Sequence, residues 1–150
     1  MGEIKNMYFG YYEHILDDKN RLVLPRKLRE GLTEGSLLYV LKGFDGCLSV
    51  YNETDFQKLC LEASKIDFNK KNSRSYLRLM LGSVVELSLD KVNRVQLPTS
   101  IINKYQISKN VALIGVGDHF EIWSLEAYKA YEQENSKEFE NIAETLKDGE

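Results

Sequence analysis

Apolar and polar residues alternate in short runs that stop at turn-forming residues, and this pattern occurs twice along the chain. Tyr12 to Leu16 and Arg21 to Leu24 have the two-residue period of strands, separated by the turn formers Asp17-Asp18-Lys19-Asn20. Alternation puts Leu22 and Leu24 on one face and Arg21 and Val23 on the other. In the second occurrence Val95 and Leu97 share a face, opposite Arg94 and Gln96. The register therefore agrees: aliphatic side chains inward, arginine outward. Pro25 and Pro98, the chain's two prolines, stop these strands and can open a helix at its first position. Short helices are expected at Arg26 to Glu30, closed by Gly31, and at Thr99 to Tyr105. Second hairpins follow: Leu37 to Leu41 with Cys47 to Tyr51, and Val111 to Val116 with His119 to Trp123. Asp45-Gly46 is a tight-turn dipeptide. Closing helices begin near Asn52 and Ser124, both suitable N-caps, with Phe56 and Leu59 matched by Tyr128 and Tyr131 on the buried side. A short helix is read from Ser75 to Leu81, ending at Gly82. From about Asn135 the chain is charged and lacks strong periodicity, and it is expected to be helical at first and then frayed.

The recurrence extends to individual letters. Leu16-Asp17-x-x-Asn20-Arg21-x-x-Leu24-Pro25 returns as Leu89-Asp90-x-x-Asn93-Arg94-x-x-Leu97-Pro98, 73 positions later. Glu13 pairs with Glu86 at the same offset, and Leu41-x-Gly43 and Tyr51 pair with Leu113-x-Gly115 and Trp123 at 72. A period this long is a duplicated half-domain. We delimit a first repeat at 11–65, a connector with a short helix at 66–82, a second repeat at 83–135 and an acidic tail at 136–150. The expected class is α+β, mainly β, with flanking helices. The segment Gly2 to Asn6 falls outside the repeat and reads as an extension or an alternative start.

Composition narrows the function classes. A chain of 150 residues with 43% hydrophobic content can pack one ordinary core. No apolar run reaches membrane-span length, and the N-terminus lacks the basic and apolar regions of a signal peptide. Cys47 and Cys60 are too few and too far apart for a zinc site or a disulfide framework; both read as small buried residues in a reducing, cytoplasmic setting. The net charge of −3 argues against indiscriminate adhesion to nucleic acid. Charge is uneven, however: residues 121–150 hold nine acidic and three basic side chains, so 1–120 are net +3. Contacts to a polyanion would come from local basic loops on the repeat body.

The repeated Asp and Arg have a clear physical use. Across a tight turn the carboxylate can accept turn amides and hold the guanidinium, aiming the arginine before a partner arrives. Such an arginine suits a phosphate or the O6/N7 edge of guanine. One copy alone reads as a surface ion pair worth about 0–1 kcal/mol; retention of the outward arginine in both copies favours function. Lys19, Arg21, Arg26, Lys27 and Arg29 form the densest basic run near a motif. Lys70, Lys71, Arg74 and Arg78 read as a solvated linker and helix face, and Tyr8, Phe9, Tyr11 and Tyr12 as an aromatic N-terminal strand used for packing. Enzyme chemistry finds little support. His14 and His119 lack metal-ligand spacing, and no nucleophile elbow, phosphate loop or dinucleotide fingerprint is present.

With these motifs and the start Met7-Tyr8-Phe9-Gly10, the sequence resembles the MraZ family of bacterial transcriptional regulators from Met7 to about Tyr131. The stretch Leu113 to Trp123 is also similar to that family. The resemblance implies a swapped-hairpin, AbrB-like barrel formed by the two repeats, ring-shaped homo-oligomers, and binding to short direct repeats in promoter DNA upstream of the division and cell-wall gene cluster. It attributes DNA contact to the loops of Asp17 with Arg21 and Asp90 with Arg94. Lys19, Asn20, Arg26, Lys91 and Asn93 complete the candidate set, with Lys19, Arg26 and Lys91 on phosphates. The family usually has glycine where this chain has Asn20 and Asn93, and asparagine is the best non-glycine choice for a left-handed backbone position. The second motif has Val92 where the first has Lys19 and lacks the basic stretch that follows Pro25, so the first is the stronger candidate for touching DNA. The expectation is a nucleoid-associated regulator of double-stranded DNA that needs no cofactor, metal or small-molecule substrate and contacts no membrane. The alternative is an oligomeric protein-interaction scaffold without direct DNA binding.

Overall fold

The computed structural model of the chain describes residues 7–147; the segment before Met7 and the last three positions of the acidic tail, 148–150, lie outside the described residues. Among the described residues, eight strands and five α-helices follow in order: β1 (Tyr11–Ile15), β2 (Arg21–Val23), β3 (Leu37–Lys42), β4 (Leu48–Asn52), α1 (Glu53–Ala63), α2 (Lys71–Leu81), β5 (Val85–Ser88), β6 (Arg94–Gln96), α3 (Thr99–Lys104), β7 (Asn110–Gly115), β8 (Phe120–Ser124), α4 (Leu125–Asn135) and α5 (Phe139–Lys147). The mainly antiparallel α+β class expected from the pattern is what the chain adopts. The strands form one six-stranded sheet in the order β1-β7-β8-β4-β3-β5 and a separate two-stranded sheet, β2-β6. All pairings are antiparallel.

Neither half closes on itself. β1 pairs with β7 of the second half, β5 pairs with β3 of the first, and the pairs β4–β8 and β2–β6 join equivalent strands. The core is shared in the same way. Leu16, Leu22, Leu24, Leu28, Leu38, Val40, Leu48 and Val50 meet their repeat partners Leu89, Val95, Leu97, Ile101, Val111, Leu113, Phe120 and Ile122 in one buried cluster; Leu113 therefore corresponds to Val40 and not, as the 72-residue offset implied, to Leu41, which faces the other side of the sheet. The two halves thus bury a single interior that neither has enough apolar surface to build alone.

Tyr8 is the exception within the aromatic N-terminal stretch, since the strand itself begins at Tyr11. It is buried, bridges to Gly117, and accepts a 2.8 Å hydrogen bond from the Asn52 side chain. Gly115 makes room for this crossing, because a side chain there would collide with the backbone of Tyr8 and Phe9.

Several local expectations need correction. The stretch after Pro25 forms only a 3-10 turn, Arg26–Leu28, and both prolines sit one position earlier than foreseen, at the caps. Helix α2 starts at Lys71 rather than Ser75, because the turn before it is tied by Arg74, which donates to the carbonyls of Phe68 and Asn69. Arg78 lies over the Phe68 ring, so these two arginines hold the connector rather than merely solvate it. Asn52 caps α1 through Asp55 N–H, but Ser124 does not cap α4; its hydroxyl instead joins Gln106 and Ser108. Cys47 is buried, whereas Cys60 is only half-buried. Tyr131 is exposed rather than buried, although its ring stays 5.0 Å from that of Trp123. The tail, read as aperiodic, forms a 3-10 turn at Ser136–Glu138 and then α5, on which Phe139, Ile142 and Leu146 recur at helical spacing.

Candidate nucleic-acid interface

In the first motif, Asp17 organises every group around it. Its Oδ1 accepts the amides of Lys19 at 2.9 Å and Arg21 at 2.8 Å, and its Oδ2 accepts Arg21 Nε at 2.6 Å. The second motif repeats this, with Asp90 accepting the amides of Val92 and Arg94 and then Arg94 Nε, each at 2.9 Å. The turn closes only because Asn20 and Asn93 take left-handed backbone angles, φ 60° and 68°. Asparagine tolerates that region because its short polar side chain can bond locally. Each loop's aspartate therefore fixes the backbone with one oxygen and the guanidinium with the other.

These bonds stabilise the charged carboxylates. At Asp17 the Arg21 amide has the largest influence, partial desolvation opposes it, and the Arg21 side chain and Lys19 amide add to it. The carboxyl falls to about 2 from its ordinary 3.8. At Asp90 desolvation is the largest influence and raises the value, but the Arg94 amide, the Arg94 side chain and the Val92 amide outweigh it and hold the group below the usual range. Both loops stay ionised and formed at physiological pH.

The β2–β6 pairing then brings the two loops together. Arg21 stands opposite Gln96 and Val23 opposite Arg94, so the outward residues form one small surface. Arg94 Nη1 comes within 4.0 Å of Asp17, so the two arginines flank one carboxylate across the repeat boundary. Reciprocal bonds, Leu24 N–H to Asn93 O and Leu97 N–H to Asn20 O, lock the loops to each other at 2.9 Å. Both arginine side chains keep about a third of their surface open, 30% and 29%. They are held, and still able to contact a partner.

Of the remaining candidates, Lys19 and Lys91 are exposed on the two turns, and Arg26 is exposed in the 3-10 turn just after β2. Lys27 lies over the Phe9 ring, and Arg29 donates to Leu24 O. Two participants escaped the sequence reading. Lys109 Nζ donates to Asp17 O at 2.9 Å and approaches Asn20 Oδ1 at 3.5 Å, and Gln96 Nε2 donates to Lys19 O at 3.0 Å. Both act on the first loop. Their repeat counterparts are Ser36 and Val23, which cannot do the same for the second. Lys109 lies 92 positions from Asp17, and only the β1–β7 pairing brings it near, so no local motif signalled it.

His119, one of the histidines weighed for enzyme chemistry, lines a cavity of about 240 Å³ with Leu41, Tyr51, Leu59, Tyr76 and Met80. Its ring stacks on Tyr51 and its Nδ1 bonds Asp118, which accounts for it structurally. Among the described residues, no group of three or more His, Cys, Asp or Glu is placed to hold a metal, and no helix is long and apolar enough to cross a membrane.

Fold and site together define a fused pair of half-domains that share one antiparallel frame and present two pre-aimed arginines side by side. Comparison with known proteins names the group. The family described as "MraZ protein, putative antitoxin-like" matches twice, over residues 7–79 and 80–149, and the chain belongs to the MraZ family. It is 36% identical to the transcriptional regulator MraZ of Mesoplasma florum, over 95% of this chain and 97% of that protein. It is 37% identical to the one from Thermoanaerobacter sp. strain X514, over 95% and 98%, and 34% identical to that of Lactiplantibacillus plantarum, over 95% and 99%. These relatives carry the name of a regulator of transcription, not of an enzyme.

Proposed function

We propose that this chain is a sequence-specific DNA-binding regulator of transcription acting as a homo-oligomer, with its arginine loops on double-stranded DNA. The observation that carries the reading is the paired geometry of Arg21 and Arg94, each held by its own aspartate on one face. Arg21 reads base edges and Arg94 assists, while Lys19, Arg26 and Lys91 contact phosphates. The target is a set of short direct repeats upstream of the division and cell-wall gene cluster, and the protein works in the cytoplasm at the nucleoid. The frame is the swapped-hairpin barrel of AbrB-like proteins, with repeats at 11–65 and 83–135 joined by the 66–82 connector. The strand exchange between halves supports that assignment.

One protomer offers few cations for an acidic protein. A first loop that neutralises about two phosphates gives a log–log salt slope of only about −2. Several protomers on spaced repeats multiply the affinity through effective concentration, so a ring of copies is part of the mechanism. Gel shift and size exclusion of Arg21→Ala test this: specific binding should be lost while the oligomer stays intact, and Arg94→Ala should lose less. Full binding by intact Arg21→Ala would refute the arginine-loop mechanism. No wild-type affinity for duplex at low salt would favour the protein-interaction scaffold instead.

A further inference from the structure

The surface that carries the two arginines holds a third polar side chain. β2 and β6 pair only with each other, and their inward Leu22 and Val95 are buried, so this ribbon stands on the core as a rigid platform. Alternation leaves four outward side chains: Arg21, Val23, Arg94 and Gln96. The register sets Gln96 directly across from Arg21, and Val23 directly across from Arg94. The major groove of DNA admits a two-stranded ribbon. Side chains directly opposed on one start about 5 Å apart, within reach of adjacent bases about 3.4 Å apart.

Gln96 is exposed, yet its amide is tied. Nε2 donates one hydrogen to Lys19 O at 3.0 Å, across the repeat boundary. Among the described residues that is the amide's one hydrogen bond, so the second N–H and Oε1 stay open. The open pair is one donor beside one acceptor. Arg21 differs, since it has donors only: its Nε is held by Asp17 and its terminal nitrogens face the two acceptors O6 and N7 that guanine presents. In the major groove adenine offers an acceptor at N7 and a donor at N6, cytosine a donor alone, and thymine an acceptor and a methyl group. Phosphate offers acceptors only. One donor beside one acceptor is therefore satisfied in full by adenine. At the equivalent place in the other half, Val23 is 47% exposed and brings methyl groups alone, so the polar contact belongs to one side of the ribbon.

We propose that Gln96 is a specificity-determining residue, its free N–H and Oε1 pairing with N7 and N6 of an adenine adjacent to the guanine held by Arg21. The bond to Lys19 O then has two uses. It braces the first loop from β6, and it removes rotamer freedom that an exposed glutamine would otherwise lose on binding. This inference rests on the reading above that Arg21 contacts base edges, and it adds the second base of the element.

The test selects duplexes from a random library with full-length wild type, Arg21→Ala, Gln96→Ala and Gln96→Glu, with circular dichroism and size exclusion to confirm equal fold and assembly. Wild type should enrich an adenine beside a guanine and bind about five- to 150-fold more weakly when that A·T pair alone is replaced. Gln96→Ala should keep the guanine and lose the adenine. Gln96→Glu, which accepts from cytosine N4 and cannot donate to N7, should move the preference to cytosine at that one position. In fluorescence anisotropy, 7-deazaadenine, which lacks the N7 acceptor, should weaken wild type there and leave Gln96→Ala unchanged. If Gln96→Ala weakens every duplex by one factor and still enriches the adenine, the residue is a brace only and the proposal fails. An Arg21-dependent guanine with no adjacent adenine preference also refutes it, while leaving the arginine reading in place. Enrichment of no Arg21-dependent base by wild type would overturn both.

Discussion

Replacing Asp17 by alanine takes the chain from a net charge of −3 to −2 and removes a carboxylate beside two arginines. Simple attraction to a polyanion says that Asp17→Ala should bind DNA more tightly. The structure says the reverse, because Asp17 accepts three bonds: the Lys19 amide, the Arg21 amide and Arg21 Nε. Without them the turn loses its closure and the guanidinium its aim. An arginine freed in this way must be immobilised again on the duplex, at about 0.5–1.5 kcal/mol. That corresponds to roughly two- to twelvefold in affinity per engaged loop, compounded when several protomers bind one site. Asp17→Asn should fall between, since its remaining oxygen can still accept the turn amides while its amide nitrogen cannot accept Arg21 Nε. Fluorescence anisotropy with a duplex from upstream of the gene, at fixed salt, measures the series, with size exclusion to confirm equal assembly. Specific binding by Asp17→Ala equal to or tighter than wild type would show that charge rather than aim governs the loop.

Two further outcomes follow from the same turn. Asn20→Val places a β-branched residue at φ 60°, which should destabilise the protein by about 1–3 kcal/mol and lower its melting temperature, whereas Asn20→Gly should be near neutral. Equal melting of the two variants would refute a strained left-handed turn. The Asp17 carboxyl, held at about 2 against an ordinary 3.8, contributes stability that is complete above pH 4 and lost as pH falls through about 2. Its carboxyl carbon, followed by NMR in the folded protein, should inflect near pH 2, and an inflection at or above 3.8 would contradict the hydrogen-bonded geometry.

Local chemistry made much of this molecule legible in advance. The inward Leu22, Leu24, Val95 and Leu97 and the positive φ of Asn20 and Asn93 follow from alternation and turn propensity, and the folded chain has both. What escaped depends on distant pairing or on cooperative context. Lys109 reaches Asp17 only after β1 has crossed to β7. Helix α2 gained a turn because Arg74 reaches back to the preceding carbonyls, a contact that propensity alone does not reveal. The α5 stripe was hidden by the charged residues around it, which dominate composition while leaving Phe139, Ile142 and Leu146 at helical spacing. Ser124 had the chemistry of a cap, but Gln106 and Ser108 compete for its hydroxyl.

A reading head with perfect twofold symmetry meets a duplex identically in either orientation. Fusing the halves into one chain releases the proposed interface from that constraint. Lys19 faces solvent on one turn where Val92 does on the other, and Lys109 and Gln96 brace only the first. Turning the duplex end for end would exchange a loop braced by Lys109 and Gln96 for an unbraced one that carries Lys91 where the first has Asp18. Under the proposed DNA-binding mode each protomer therefore has a heading, and copies that share a heading would suit sites repeated in tandem better than sites written as mirror images.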